Sequence, residues 1–391
     1  MFTFCFDLPT RIIFCENGFR ENLGLEAARF GRRALIVTGR SSAKKSGVLE
    51  LAESALSEKK VEYEIFDKIE PNPTEPTVGK GTDLLKKFKA DCIIAIGGGS
   101  PIDAAKAIGV VATFGGKASD YFGAGTVPGR ILPLIAAPTT AGTGSEVTRY
   151  SVISVPGKKQ KAVIVSANIA PHVAIVDPIL TRSMPQPLTA ATGVDALSHA
   201  VESLACSFAS PMTEMVNLEA ASIIAEALPV SANLQGDVEA HCKMSYAALL
   251  AGIGINNAGT GIAHGLSLPL TAEYGIPHGV AVGLLLPHVM EFNMPARRRE
   301  FAALAEAMGE CTDGLALAEA AELSVGAVRR LLRDVRFPVS LKEFGVETKT
   351  IKQVAKKILA EPIKLANNPR MPTEKDLIDI CLKARDTGIA E

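Results

Sequence analysis

Along roughly the first 180 residues, short β-branched runs alternate with stretches whose apolar positions recur every three or four residues. Arg33-Ala-Leu-Ile-Val-Thr38, Val61-Glu-Tyr-Glu-Ile-Phe66, Cys92-Ile-Ile-Ala-Ile-Gly97, Leu132-Pro-Leu-Ile-Ala-Ala137 and Val173-Ala-Ile-Val176 predict strands. The segments near Gly47 to Lys59 and Val78 to Lys89 predict helices between the first three. That alternation implies crossover units and a mostly parallel sheet. From Pro185 onward the strand signals fade. Long segments rich in Ala, Leu, Glu and Lys or Arg take over, among them Pro211 to Leu228, Arg298 to Met308 and Ser324 to Arg333, and predict an all-helical second half. The turn-rich Thr181-Arg-Ser-Met-Pro-Gln-Pro187 marks the boundary, giving an α/β domain over residues 1–183 and a helical domain over 184–391. There is no internal repeat and no low-complexity tract.

Composition narrows the function classes. The chain has 391 residues, 47% of them hydrophobic, enough to bury a sizeable core, and its formal net charge is -1. Near-cancelling charge gives neither a nucleic-acid footprint nor a polybasic membrane surface, so the expected partner is a small molecule. Seven cysteines, an odd number without a CxxC pair, imply free thiols in a reducing cytoplasm. The opening MFTFCFDLPTRIIF has no basic region ahead of an apolar run, and no stretch approaches eighteen continuous apolar residues. A signal peptide and a membrane span are therefore not expected.

Two loops carry the first candidate chemistry. The third strand runs into GGGSPIDAAKAIG, Gly97 to Gly109. Gly98 and Gly99 let backbone N–H groups approach an anion, Ser100 can cap, Pro101 fits the first helical position, and Asp103 fits a capping box. A helix N-terminus facing a phosphate would result, although a tight strand-to-helix turn with a good cap uses the same residues. The GxGxxG fingerprint is absent. The strand ending at Pro138 is followed by TTAGTGSEVT, Thr139 to Thr148, whose clustered hydroxyls and glycines beyond the carboxyl end of a parallel strand suit a nucleotide.

The second half holds polar residues in apolar company. In GVDALSHAVE, Gly193 to Glu202, Asp195 and His199 lie four apart on one helical face with Glu202 beside them. Taken alone, the segment reads first as an amphipathic helix turning Asp, His and Glu to water, with Val194, Leu197, Val201 and Leu204 on the opposite side. His264, in GTGIAHGLSLPL, and His278, in GIPHGVAVGLLLP, sit in runs apolar enough to be inside, where imidazoles need partners. Together with the Asp-x-x-x-His pair they supply one carboxylate and three neutral imidazoles, a set suited to a divalent transition metal. His172, in a loop, and His241, at the start of a helical segment, are expected in solvent. His288, ten residues past His278, has a capping or core role as its default and the same cleft as its alternative.

In order along the chain, LPTRIIF, PNPT, GGGSPIDAAKAIG, APTTAGTGSEVT, the DP at Asp177, GVDALSHAVE, AHGLSLPL, IPHGVAVGLLLPH and NPRMPT resemble the iron-dependent, or type III, alcohol dehydrogenase family over nearly the whole chain. The resemblance implies a dehydroquinate-synthase-like fold: an α/β dinucleotide-binding domain, an all-helical metal-binding domain, and an active-site cleft between them. It implies a homodimeric, cytoplasmic NAD(P)-linked oxidoreductase of small alcohols and aldehydes. Asp195, His199, His264 and His278 would hold the catalytic Fe2+, or in some members Zn2+. Gly98, Gly99 and Ser100 would hold the pyrophosphate, with Asp103 in the same loop. Thr139, Thr140 and Thr143 would lie along the nucleotide, Asn72 near the adenosine end and Lys161 near the ribose.

Two departures from the family pattern bear on mechanism. Relatives that prefer NAD resemble VTD where this chain reads Val37-Thr-Gly39, followed by Arg40, Ser41, Ser42, Lys44 and Lys45, so Gly39 implies that NADP is accepted and preferred. Many relatives also carry a histidine four residues after the third ligand, a proton-relay position occupied here by Leu268. Rival readings are a glycerol dehydrogenase, a hydroxyacid dehydrogenase, a maleylacetate reductase, a dehydroquinate-synthase-like enzyme, or a nucleotide-binding protein without turnover. The intact ligand set argues against the reductase and the last.

Overall fold

The computed structural model describes residues 3–155, 160–361 and 365–389, which divide into two compact units. One is Leu8–Ser183; the other is Met184–Glu391 together with Met1–Asp7. The N-terminal stretch joins the helical unit through backbone groups, with the Asp7 N–H donating to Asn257 Oδ1 at 2.6 Å and Asn256 Nδ2 donating to the Asp7 carbonyl at 2.8 Å.

The first unit runs β1 (Arg11–Phe14), α1 (Gly18–Phe30), β2 (Arg33–Gly39), α2 (Ser42–Lys45), α3 (Val48–Glu58), β3 (Glu62–Ile69), α4 (Glu75–Phe88), β4 (Cys92–Gly97), α5 (Gly99–Phe114), β5 (Gly123–Ala124), β6 (Leu134–Pro138), β7 (Tyr150–Val155), β8 (Gln160–Val165) and β9 (Val173–Val176). Six strands form one parallel sheet in the order β1-β9-β6-β4-β2-β3. Its strands β4 and β6 are apolar at every position because both faces are covered: one by α1 and α3, packing Phe19, Leu23, Ala52 and Leu56, the other by α4 and α5, packing Val78, Leu85, Ile102 and Ile108. The chain runs outward from β2 to β3, then returns to place β4 on the other side of β2. The β2/β4 junction is therefore the topological switch point of the sheet, where the carboxyl ends of α/β strands leave a crevice for ligands. A smaller sheet, β5-β8-β7, contains the antiparallel β7/β8 pair.

The second unit is helical: α6 (Gln186–Ala205), α7 (Pro211–Asn233), α8 (Val238–Ala258), α9 (Ile262–Tyr274), α10 (His278–Asn293), α11 (Arg298–Ala307), α12 (Leu317–Asp334), α13 (Thr348–Leu359) and α14 (Glu374–Asp386). Small residues let these helices pack closely. Ala190, Val194, Ala196, Leu197, Ala200 and Leu204 are buried all around α6, which sits among α7, α8 and α10. α7 is long and apolar enough, by length and composition, to span a membrane; here it packs along α6 and α8. All seven cysteines are free, with Cys92, Cys206 and Cys381 buried as small apolar packers.

Candidate active site

The polar stripe of α6 does not face water. Asp195, His199 and Glu202 are buried at 3–5% exposure, because neighbouring helices cover every side of α6. The amphipathic alternative for this helix is thereby corrected. Asp195 and His199 come together one turn apart, and His264 enters from the first turn of α9, so the ligand atoms of these three residues lie within 4.8 Å of one another. His278 stands outside that tightest set but reaches the same carboxylate. Asp195 Oδ1 lies 3.9 Å from His199 Nε2, 3.6 Å from His264 Nε2 and 3.7 Å from His278 Nε2.

One carboxylate oxygen thus faces three imidazole nitrogens, each too distant for a hydrogen bond. The separations are near the roughly 3–3.5 Å that ligands of one divalent ion keep at bonds of about 2.1 Å. Asp195 Oδ1 and His264 Nε2 are fully buried and have no hydrogen-bond partner. Leaving such atoms without a partner is costly, and a shared cation satisfies them, so the donor set fits the metal. Burial alone would raise the Asp195 carboxyl, but the imidazoles of His199, His278 and His264 reverse this and hold it well below the usual carboxylate range. His278 remains a third exposed, which leaves that side of the cluster open to solvent, as a catalytic rather than a structural site requires.

Two residues outside the ligand set hold this geometry. Glu202 accepts a hydrogen bond from His264 Nδ1, and the backbone N–H groups of Ala263 (2.7 Å) and His264 (3.4 Å) donate to the same carboxylate. The imidazole is thereby kept in the tautomer and orientation that present Nε2 to the cluster. Burial opposes a charged His264, yet the Glu202 and Asp195 carboxylates raise it to about 9. Gly279 does the corresponding job for His278: a Cβ there would lie 2.1 Å from the Ala191 carbonyl oxygen, so only glycine lets the start of α10 abut α6. The spacing Asp195, His199, Glu202 put Glu202 on the ligand face, but its role as the partner of His264 went unread, because only the fold brings the start of α9 to it.

The remaining histidines serve structure. His241 is buried at 1%, correcting the expectation of exposure, since α8 packs against both α6 and α7. His172 is half-buried: its Nδ1 accepts from the Leu134 N–H at 3.2 Å, its ring meets Phe30 edge-on, and burial lowers it to about 4. His288 is a core residue, with Nε2 donating to the Gly388 carbonyl at 3.0 Å.

In the first unit, the predicted nucleotide residues other than Lys161 and Asp103 lie at or just beyond the carboxyl ends of the parallel strands. Gly39 ends β2, and Gly97 ends β4 beside Pro138 of β6, so the loops that follow emerge side by side. The Thr139 N–H donates to the Gly97 carbonyl at 3.0 Å. A Cβ on Gly98 would come within 3.1–3.2 Å of Thr140, and one on Gly99 within 3.0–3.2 Å of Thr143, so the two loops are closely apposed through glycine. Asn72 follows β3 with a left-handed backbone (φ 63°), and its N–H donates to Ser100 Oγ at 3.3 Å. Lys161 stands on β8 opposite Ser154.

Three details of the sequence reading change. α5 starts at Gly99, so Pro101 lies in its third position rather than its first, and no side chain caps the helix. Ser100 accepts from Asn72 instead of capping. Asp103 forms no capping box: its Oδ1 accepts from Ser145 Oγ and its Oδ2 from the Val152 N–H, so both carboxylate oxygens are engaged outside α5.

The comparisons agree over both halves of the chain. Residues 9–178 match the model of the iron-containing alcohol dehydrogenases, and residues 189–385 match that of the C-terminal domain of the same family. The 1,3-propanediol dehydrogenase of Citrobacter freundii is 40% identical over 355 residues, 90% of this chain and 92% of its own. The NAD-dependent methanol dehydrogenase of Bacillus methanolicus is 37% identical over 97% of this chain and 99% of its own. A solved 1,3-propanediol oxidoreductase superposes with a TM-score of 0.95 at 37% identity, covering 98% of this chain and 100% of that one. With its fold, its buried donor set and both of its halves matched, the chain belongs to the iron-containing alcohol dehydrogenase family, a metal-dependent, NAD(P)-linked oxidoreductase of alcohols and aldehydes.

Proposed function

We propose that Asp195, His199, His264 and His278 hold one divalent metal, Fe2+ ahead of Zn2+, and that the protein interconverts a small aldehyde and its primary alcohol with NADPH as the preferred cofactor. The observation that carries this reading is the single Asp195 oxygen facing three imidazole nitrogens at 3.6–3.9 Å in a buried setting. When bound, the metal supplies Lewis acidity to the substrate oxygen. Asp195 and the imidazoles position that charge, and Glu202 fixes His264. In the first unit, the amides of Gly98 and Gly99 at the uncapped start of α5 receive the pyrophosphate. Thr139, Thr140 and Thr143 line the nucleotide, and Asn72 and Lys161 contact its sugars. Matching relatives named for 1,3-propanediol and methanol support a small alcohol or aldehyde as substrate. By family resemblance the enzyme is a cytoplasmic homodimer, so light scattering should give twice the 41.1 kDa chain mass. Anaerobic assay with Fe2+, a panel of aldehydes and both reduced cofactors tests the reading; no turnover of any aldehyde would end it.

The proton that accompanies hydride transfer has no imidazole at position 268. Leu268 offers neither donor nor acceptor and would shape an apolar pocket, so the proton would leave to water, with the ribose hydroxyl of a bound cofactor as the group that would extend that path. His288 cannot take the relay while its Nε2–H is held by Gly388. Leu268→Ala is expected to shift preference towards longer aldehydes. His288→Ala should cost stability but leave both limbs of the pH–rate profile in place; loss of a limb would transfer the relay to His288.

A further inference from the structure

The NPRMPT segment from Asn368 supplies none of the candidate ligands, yet it and the residue before it meet the ends of α6, α9 and α10, the helices that carry them. Just beyond α6, the Ser207 N–H donates to the Asn367 carbonyl at 2.7 Å and Ser207 Oγ to the Asn368 carbonyl at 3.3 Å. At the last residue of α10, Asn293 and Asn368 form a closed, buried pair: Asn368 Nδ2 donates to Asn293 Oδ1 at 2.8 Å, and Asn293 Nδ2 to Asn368 Oδ1 at 2.9 Å. Arg370 braces the pair. Its carbonyl accepts from Asn368 Nδ2 at 2.6 Å, while its guanidinium donates to the Phe292 carbonyl and lies 4.3 Å over the Phe292 ring. Ahead of α9, a Cβ on Gly259 would lie 2.1 Å from Asn367 Nδ2, and one on Gly261 would lie 2.9 Å from Glu202 Oε1 and 3.0 Å from Asn368 Oδ1. Gly261 therefore lies close against both the asparagine pair and the carboxylate that orients His264.

We infer that Asn368, locked to Asn293, is a positioning residue of the metal centre: it fixes the turn of Gly259 to Gly261, from which Glu202 and the start of α9 present His264, and it acts through Glu202 rather than as a ligand. The inference rests on the reading of Asp195, His199, His264 and His278 as the metal ligands. Asn368 Nδ2 donates both to Asn293 and to Arg370, and its Oδ1 accepts from Asn293, so the amide has one orientation. A buried amide pair adds little net stability over an apolar pair of the same shape, but it defines a single geometry. Glu202 accepts from the Ala263 and His264 N–H groups and from His264 Nδ1, so its place is set by the turn that Asn368 holds. Without Asn368 that turn is free to shift, and groups that orient a ligand govern how tightly the ion is held.

Asn368→Leu nearly keeps the volume and removes the amide. Anaerobic competition for Fe2+ between the folded full-length protein and a chelator should show a dissociation constant raised about tenfold or more. The double variant Asn293→Leu/Asn368→Leu separates positioning from stability. With both amides replaced, neither is left buried without a partner, so stability lost in the single variant should largely return while Fe2+ binding stays weak. A merely structural role would lower the denaturation midpoint of Asn368→Leu and leave the Fe2+ dissociation constant of the folded protein where it was, which overturns the inference. So would wild-type Fe2+ affinity in the double variant. If neither variant folds, Gly261→Ala sets a methyl group against Glu202 and Asn368 and should weaken Fe2+ binding about threefold or more; wild-type affinity there overturns the inference too. Failure of the wild-type protein to bind Fe2+ at all would instead refute the ligand reading beneath it.

Discussion

Replacing His264 with alanine is expected to strip the metal and lower turnover by about a thousandfold or more, because the change removes a ligand and leaves Asp195 and Glu202 as uncompensated buried carboxylates. Dinucleotide binding should persist, since Gly98, Gly99 and the threonine loop belong to the other unit. A graded companion is Glu202→Gln. The amide oxygen can still accept from His264 Nδ1, but the charge is gone and the two backbone donors of Ala263 and His264 must share what remains. Changes of this kind cost roughly 10–100-fold in metal affinity, which chelator competition would read directly. Equal metal retention in wild type and in both variants would show that the ion is held elsewhere.

Gly39→Asp is expected to exchange the cofactor preference. Gly39 ends β2 at the switch point, and a Cβ there meets only Ser42 Oγ at 3.5 Å and the Ile69 carbonyl at 3.8 Å, ordinary contacts that leave room for a side chain. A carboxylate would accept from a ribose 2′-hydroxyl and repel a 2′-phosphate, whereas the present chain offers exposed Arg40, Lys44 and Lys45 in the segment that follows. kcat/KM with NADPH should fall about a hundredfold while that with NADH holds or rises, a like-charge contact costing several kcal/mol. A wild-type enzyme strongly selective for NADH would refute the assignment of Gly39, and an unchanged ratio in the variant would show that the 2′ position is read elsewhere.

What could be read from sequence followed the physics of each segment. The four inner strands announce themselves because both of their faces are buried, the edge strand β3 by its alternation of polar and apolar positions, and the second half is visibly helical because small and aliphatic residues recur at helical spacing. β1, α1 and the β7/β8 pair went unread as elements. Arg11–Phe14 is a four-residue edge strand whose identity comes from β9, far away in the chain, and the antiparallel β7/β8 pair carries Ser, Lys and Gln among its apolar positions, which blurs its alternation. The ligand face was legible from Asp195, His199 and Glu202, but its burial was not, since it depends on α7, α8 and α10 closing around α6. His241 was misjudged for the same reason. Lys106 was passed over because a lysine in a helix is ordinarily solvated, and only the fold brings Ser145, Thr148 and Tyr150 to its ammonium. Asp103 was noticed for the wrong partner: local spacing suggested a cap, while the fold supplied Ser145 and Val152.

Anomalous diffraction from crystals of the protein reconstituted anaerobically with Fe2+, collected on either side of the iron edge, addresses the metal assignment directly. A single strong peak per chain, enclosed by Asp195, His199, His264 and His278 and absent from His264→Ala crystals, is the expected result. A fully active preparation with no peak there, or with its peak at another set of residues, would contradict it.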